Sequence, residues 1–378
     1  MTDTPLLKLQ DYGQSVWLDY LRRNLVTSGE LAQKIEQDGL RGLTSNPAIF
    51  KEAIVGSADY DDAIRTLTAQ GLTEDAIYET MAVEDIQGAA DAFRPLYDRL
   101  DGKDGFVSLE VSPHLARDTA GTVAEAKHLW QKVNRPNLMI KVPGTPEGLP
   151  AIQELIGEGI NVNVTLLFSR EAYKACAEAY LSGLEAHLAK GGNLSRVASV
   201  ASFFLSRIDS SIDAKLEALI AKTTDPAKLE KLQGLMGSLA IANAKLAYQD
   251  YKALFTSERF KVLAQAGAHP QRLLWASTGT KNPHYRDVRY VEELVGPNTV
   301  NTMPVATLNA CADHCELRSS LEENLEQAQK LLTDLEAVGI SLDQVTADLL
   351  VDGLIKFTGP FDELLQSIRN KRALVAST

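Results

Sequence analysis

Cysteine, positive charge and long apolar runs are all scarce in this chain. Cys176, Cys311 and Cys315 are its three cysteines among 378 residues. So few exclude a disulfide framework and fit a reducing, cytoplasmic compartment. The net charge is −12, which argues against nucleic acid or an anionic membrane surface as a partner. No run of about 18 apolar residues occurs, so no transmembrane helix is expected. The start, MTDTPLLKLQ, has no basic stretch ahead of an apolar core, so no signal peptide is expected. Neither GxGxxG nor GxxxxGKS/T occurs, which removes the common nucleotide loops.

What is present is alternation. The chain is 45% hydrophobic and 23% charged, ordinary for a globular protein with a sizeable core. Eight short apolar runs stand out: SVWLD (15–19), GLTSN (42–46), FVSLEVS (106–112), NLMIKVP (137–143), INVNVTLLF (160–168), RVASVAS (196–202), RLLWAST (272–278) and TVNTMPV (299–305). Each is followed by a segment of helical composition. That order predicts parallel strands with crossover helices, and eight units predict a closed (β/α)8 TIM barrel. An open doubly wound sheet is the runner-up. Residues 47–105 and 203–271 are long enough for additional inserted helices. From about residue 317 the tail reads as a helical extension broken near 339–340 and at FTGPF (357–361). No linker composition appears, so residues 1–378 are expected to form a single domain.

The strands carry polar residues toward their C-terminal ends. With a period of two, Ser108 and Glu110 share one side, as do Asn163 and Thr165, and Thr44 and Asn46; SVWLD ends in Asp19. Lys141 stands near the end of an apolar run, where an ammonium is costly unless paired or deprotonated. Taken singly, each has an ordinary structural reading. Asp19 could cap a helix, Asn46 could belong to the turn before Pro47, and Glu110 could simply be an ion-pair partner for Lys141. Taken together, they sit on the face where barrel enzymes hold their sites.

A deprotonated lysine can attack a ketone and form an imine, an electron sink for breaking an adjacent carbon–carbon bond. The chemistry needs a base for the hydroxyl whose carbon becomes the leaving aldehyde, a proton shuttle, and polar groups for the sugar hydroxyls. Asp19, Glu110 with Thr165, and Asn46 with Asn163 fill those places. No metal or organic cofactor is needed. CADHC (311–315) places Cys311 and Cys315 around His314, but it lacks a second ligand pair at zinc spacing. His114, near the third strand's end, has no required role.

GLTSNPAIF, IKVPGT, NVTLLFS and SFFLSRID, with WLDY and SLEVS, resemble the signature segments of the transaldolase family, in the family's order. The resemblance runs from about residue 10 to 310, and the inserted helices and the tail resemble the family's longer branch. It implies that Lys141 is the Schiff-base lysine and Asp19 the general base. It implies that Glu110 and Thr165 handle a catalytic water, and that Asn46 and Asn163 bind donor hydroxyls. Ser202 and Arg207 match substrate contacts, with Arg207 on phosphate, and Phe204 matches an aromatic position beside the lysine. The shorter members carry an arginine after the seventh strand. Here WASTGTKNP offers Lys281, which binds phosphate as a point charge.

The implied activity is transfer of a dihydroxyacetone unit between sugar phosphates, in the non-oxidative pentose phosphate branch. One alternative is a fructose 6-phosphate aldolase, whose members are shorter and usually carry tyrosine at Phe204 and glutamine at Glu110. Another is a barrel that binds sugar phosphate without chemistry. Monomer and homodimer both remain open. The segment from about 341 to 372 is expected to pack over or beside the barrel mouth.

Overall fold

The computed structural model describes residues 4–376. The ends of the expected domain, 1–3 and 377–378, lie outside the described residues. Eight parallel strands close into a barrel in sequence order. They are β1 (Gln14–Asp19), β2 (Gly42–Thr44), β3 (Phe106–Glu110), β4 (Leu138–Pro143), β5 (Val162–Leu167), β6 (Ser199–Phe204), β7 (Arg272–Ala276) and β8 (Thr299–Met303). Every predicted run overlaps one of them; β1 begins one residue before its run, and β6 continues two residues beyond its own. The strands are almost wholly buried because helices cover the barrel's outside while side chains fill its inside. A large apolar cluster joins the strands to the surrounding helices. At the base, a Cβ on Gly42 would meet the Trp17 ring at 2.4 Å, so only glycine lets the indole cross β2.

The two long gaps hold extra helices, as expected. Between β2 and β3 lie α1 (Pro47–Val55), α2 (Asp61–Ala69) and α3 (Glu74–Arg99). Asn46 caps α1, its side-chain oxygen accepting from Ile49 N at 3.0 Å, and Pro47 fits the first turn. After β6 comes α4 (Ser206–Ile220), followed by helices over Pro226–Leu235, Leu239–Phe255 and Glu258–Gln265. Beyond β8 the tail contains α5 (Leu325–Ala337) and α6 (Leu342–Ala376).

The tail breaks near Gly339, which takes a φ of 87°, but not at FTGPF. There α6 runs straight through Pro360. Its buried residues explain why. Val345, Leu349, Gly353, Phe357, Phe361, Leu364 and Ile368 form one stripe, three or four residues apart, on both sides of the proline. Pro360 lies off that stripe, and packing against α1, α2 and α3 outweighs the local penalty. No helix among the described residues is long and apolar enough to cross a membrane.

Candidate active site

Strand register brings the predicted residues together at the C-terminal end of the barrel. Asp19 pairs with Thr44 across β1 and β2. Glu110 pairs with Lys141 across β3 and β4, and Lys141 in turn with Asn163 on β5. These groups lie within a few ångströms because parallel neighbours stand side by side.

Lys141 is 5% exposed. Its Nζ donates to the Ser45 carbonyl at 3.0 Å and stands 3.4 Å from Glu110 Oε2. Ser45 is fixed by its own hydroxyl, which donates to Ser108 O at 2.8 Å. Burial pushes the Glu110 carboxyl up to about 7, against the pull of the Lys141 charge. Beyond the 3.4 Å approach of Lys141, no group among the described residues hydrogen-bonds to either Glu110 oxygen. Asp19 is also raised by burial, opposed by Lys141, by the Thr44 hydrogen bond and by Arg207 and Lys281. Thr44 Oγ1 donates to Asp19 Oδ1 at 2.6 Å and lies 2.7 Å from the Thr302 hydroxyl. Because Thr44 donates its hydroxyl proton to the Asp19 hydrogen bond, Thr302 is the donor to Thr44.

A cavity of about 180 Å³ opens above these groups. Asp19, Thr44, Asn46, Lys141, Thr165, Ser202, Phe204, Arg207 and Lys281 all reach its wall. Arg207, at the start of α4, stacks over Phe204 at 5.3 Å, and its buried Nη1 has no hydrogen-bond partner among the described residues. Burial lowers its pKa, opposed by Asp352 and Asp19. Lys281 is exposed on the loop after β7. Thus a chain of net charge −12 places Arg207 and Lys281 at one cavity, the means to hold an anionic group against the global field.

Two predicted residues sit off that wall. Glu110 lies behind Lys141 and borders a neighbouring cavity of about 370 Å³ with Tyr78, His114 and Phe361. Asn163 is one layer deeper and fully buried. Its Nδ2 donates to Ser108 Oγ at 3.0 Å and its Oδ1 accepts from Ser202 Oγ at 2.7 Å. It orients Ser202 rather than facing the open cavity. Thr165 precedes Leu166, which takes a φ of 60° where the register of β5 against β6 shifts. Ser277, at the end of β7, has a φ of 55°. Such strained positions at the ends of strands gather at sites.

Other residues on the wall were not anticipated. Thr302 lies in β8 and Ser277 just past the end of β7, where no catalytic-type residue draws notice. Phe357 comes from α6. Its ring centre is 5.8 Å from Lys141 Nζ. His114 binds Asp362 of α6 at 2.7 Å. Cys311 and Cys315 are buried, while His314 turns outward to Asp287 and Asp313.

A family model described as transaldolase/fructose-6-phosphate aldolase matches residues 16–368. The chain belongs to this family. It is 50% identical over 373 residues, 98% of each chain, to a protein named Transaldolase from Trichodesmium erythraeum. It is 51% identical over 374 residues, again 98% of each, to Transaldolase 2 of Nostoc punctiforme. Transaldolase of Saccharopolyspora erythraea is 50% identical over 371 residues and 98% of each chain. The match to the transaldolase/fructose-6-phosphate aldolase family extends past β8 through most of α6, so the tail belongs to what these relatives share in length.

Proposed function

We propose that this protein is a transaldolase acting through a Schiff base on Lys141. The observation that carries the reading is the buried Lys141–Glu110 pair at 3.4 Å, whose lysine reaches a cavity wall that also holds Asp19, Arg207 and Lys281. A buried ion pair alone adds little stability and needs no cavity; one facing a polar cavity suits covalent chemistry.

In this reading the donor is sedoheptulose 7-phosphate. Lys141 Nζ, having passed its proton to Glu110, attacks C2 of the ketose. Glu110 and Thr165 hold the water that moves protons as the carbinolamine loses water and becomes an iminium. Asp19 takes the proton from the C4 hydroxyl. The C3–C4 bond then breaks, its electron pair flows toward the iminium nitrogen, and erythrose 4-phosphate leaves. The remaining enamine attacks the aldehyde carbon of glyceraldehyde 3-phosphate, and Asp19 returns its proton to the new hydroxyl. Water hydrolyses the iminium and frees fructose 6-phosphate.

Asn46 and Ser202 would hold donor hydroxyls, with Asn163 fixing Ser202 and Thr44 fixing Asp19. Phe204 would support the Arg207 guanidinium, and Arg207 and Lys281 would bind the phosphate. We read the reaction as a step of the non-oxidative pentose phosphate branch, in the cytoplasm, without a cofactor. We also read the chain as a single domain, because α6 completes the mouth. The test is direct. The protein is given sedoheptulose 7-phosphate with and without glyceraldehyde 3-phosphate, and the products are followed. Acceptor-dependent formation of both erythrose 4-phosphate and fructose 6-phosphate is expected. Release of free dihydroxyacetone from fructose 6-phosphate as the main reaction would favour the aldolase branch instead.

A further inference from the structure

The C-terminal helix gives the cavity something no strand end gives it: an aromatic face over the lysine. Phe357 is 6% exposed. Its ring covers Lys141 Nζ at 5.8 Å and shares the cavity wall with Asp19, Arg207 and Lys281. The ring is held in place from both sides along α6. One turn before it, a Cβ on Gly353 would stand 2.9 Å from Leu166 Cδ2 and 3.7 Å from Arg207 Nη1. Glycine therefore lets the helix lie directly against the mouth. One turn after it, Phe361 packs edge-on against Tyr78 with ring centres 5.4 Å apart.

A phenyl ring cannot bind a hydroxyl strongly or move a proton. What it can do is exclude water from one side of the lysine nitrogen while tolerating positive charge on its face. That matters for a Schiff-base enzyme because the enamine has two fates. Its carbon can attack an aldehyde, forming a carbon–carbon bond. Alternatively the same carbon takes a proton delivered by water. The iminium so formed adds water, the C–N bond breaks, and free dihydroxyacetone and the lysine ammonium result. The second fate needs a water-borne proton at the enamine; the first does not.

We propose that Phe357 determines reaction specificity: its ring shields the enamine on Lys141 from water, so that the three-carbon unit waits for an aldehyde acceptor. This rests on the Schiff-base reading above. The shield is supplied by α6, which lies outside the strand–helix repeat that builds the barrel. Strand ends set the chemistry, and α6 sets its partition between transfer and hydrolysis.

The test compares wild type, Phe357→Ala and Phe357→Leu. Two rates are measured for each: dihydroxyacetone release from fructose 6-phosphate without acceptor, and transfer from fructose 6-phosphate to erythrose 4-phosphate. Borohydride trapping with peptide mapping runs in parallel. Opening the cavity to water should raise the ratio of release to transfer about ten-fold or more in Phe357→Ala. Leucine keeps an apolar cover and the helix packing, so its ratio should rise less. A ratio unchanged in both folded variants, with the adduct still on Lys141, would overturn the proposal. Should Phe357→Ala not fold, Phe357→Leu decides alone, since its smaller side chain must still raise the ratio above wild type. A wild type that yields no adduct on Lys141 would instead remove the Schiff-base reading itself, a separate failure.

Discussion

Two regions meet at the cavity, and they are built differently. The strand ends of β1 to β6 present buried groups bound to one another: Thr44 to Asp19, Lys141 to Ser45, Ser202 to Asn163. Their positions follow from barrel register, so moving one means moving a strand. Helix α6 presents a ring, and beyond its buried stripe it is fastened by surface pairs. His114 holds Asp362 at 2.7 Å, Lys371 holds Asp61 at 2.6 Å, Arg372 holds Glu74 at 2.7 Å, and Lys51 holds Glu363. Exposed pairs of this kind are individually weak and weaken further with salt. The comparison teaches that barrel register fixes the groups that make and break bonds, while the cover is placed by the buried stripe of α6, with salt-sensitive pairs along its edges.

Variants at the strand ends should therefore remove chemistry, and variants on α6 should leave it in place. The largest effect is expected from Lys141→Arg. A guanidinium cannot form the imine, so turnover should fall to background while the melting curve still shows a folded protein. Near-wild-type turnover would break the comparison at its centre. Next is Asp19→Asn, which keeps the shape of the Thr44 contact but loses the base. The rate should fall by about 10²–10⁴-fold, with borohydride still labelling Lys141, because imine formation precedes the Asp19 step. Loss of labelling along with the rate would place Asp19 earlier in the sequence of events.

A smaller effect concerns stability against pH. Glu110 ionises near 4.5 when unfolded, but burial pushes it up to about 7 when folded. Between those values the folded state keeps a proton that the unfolded state has lost. The Glu110 contribution to stability must therefore fall as pH rises across that window, and it is fully present only below it. Melting temperatures from pH 4.5 to pH 7 should show a gentler decline in Glu110→Gln than in wild type; parallel curves would mean that Glu110 ionises normally. The smallest effect is expected at the fastening. Glu74→Ala frees both Arg369 and Arg372 of α6. It should lower the melting temperature slightly, and less so at high salt, with turnover intact. A salt-independent loss of activity would show that the helix is more than a cover.

Much of this was legible in the sequence, and the boundary is physical. A period of two along GLTSN, FVSLEVS and INVNVTLLF places Thr44, Glu110 and Thr165 on the inner face, because strand geometry is local. Closure of the barrel then makes Asp19, Lys141 and Ser202 neighbours without further information. Asn163 shows the limit: the same periodicity puts it inside but does not say how deep, and its amide is taken by Ser108 and Ser202. The proline in FTGPF reads as a break because backbone chemistry is local, whereas the stripe that carries α6 across it pays off only against α1, α2 and α3. Phe357 belongs to that stripe. Its spacing shows that it is buried, but only the tertiary path of α6 shows that it is buried against Lys141.

The most direct test of the central claim is chemical trapping. The protein is incubated with fructose 6-phosphate, reduced with borohydride, digested, and the adduct mapped by mass spectrometry. The account predicts a three-carbon adduct on Lys141 and on no other lysine. A folded protein that carries no adduct there would contradict it and leave Lys141 as the buried partner of Glu110.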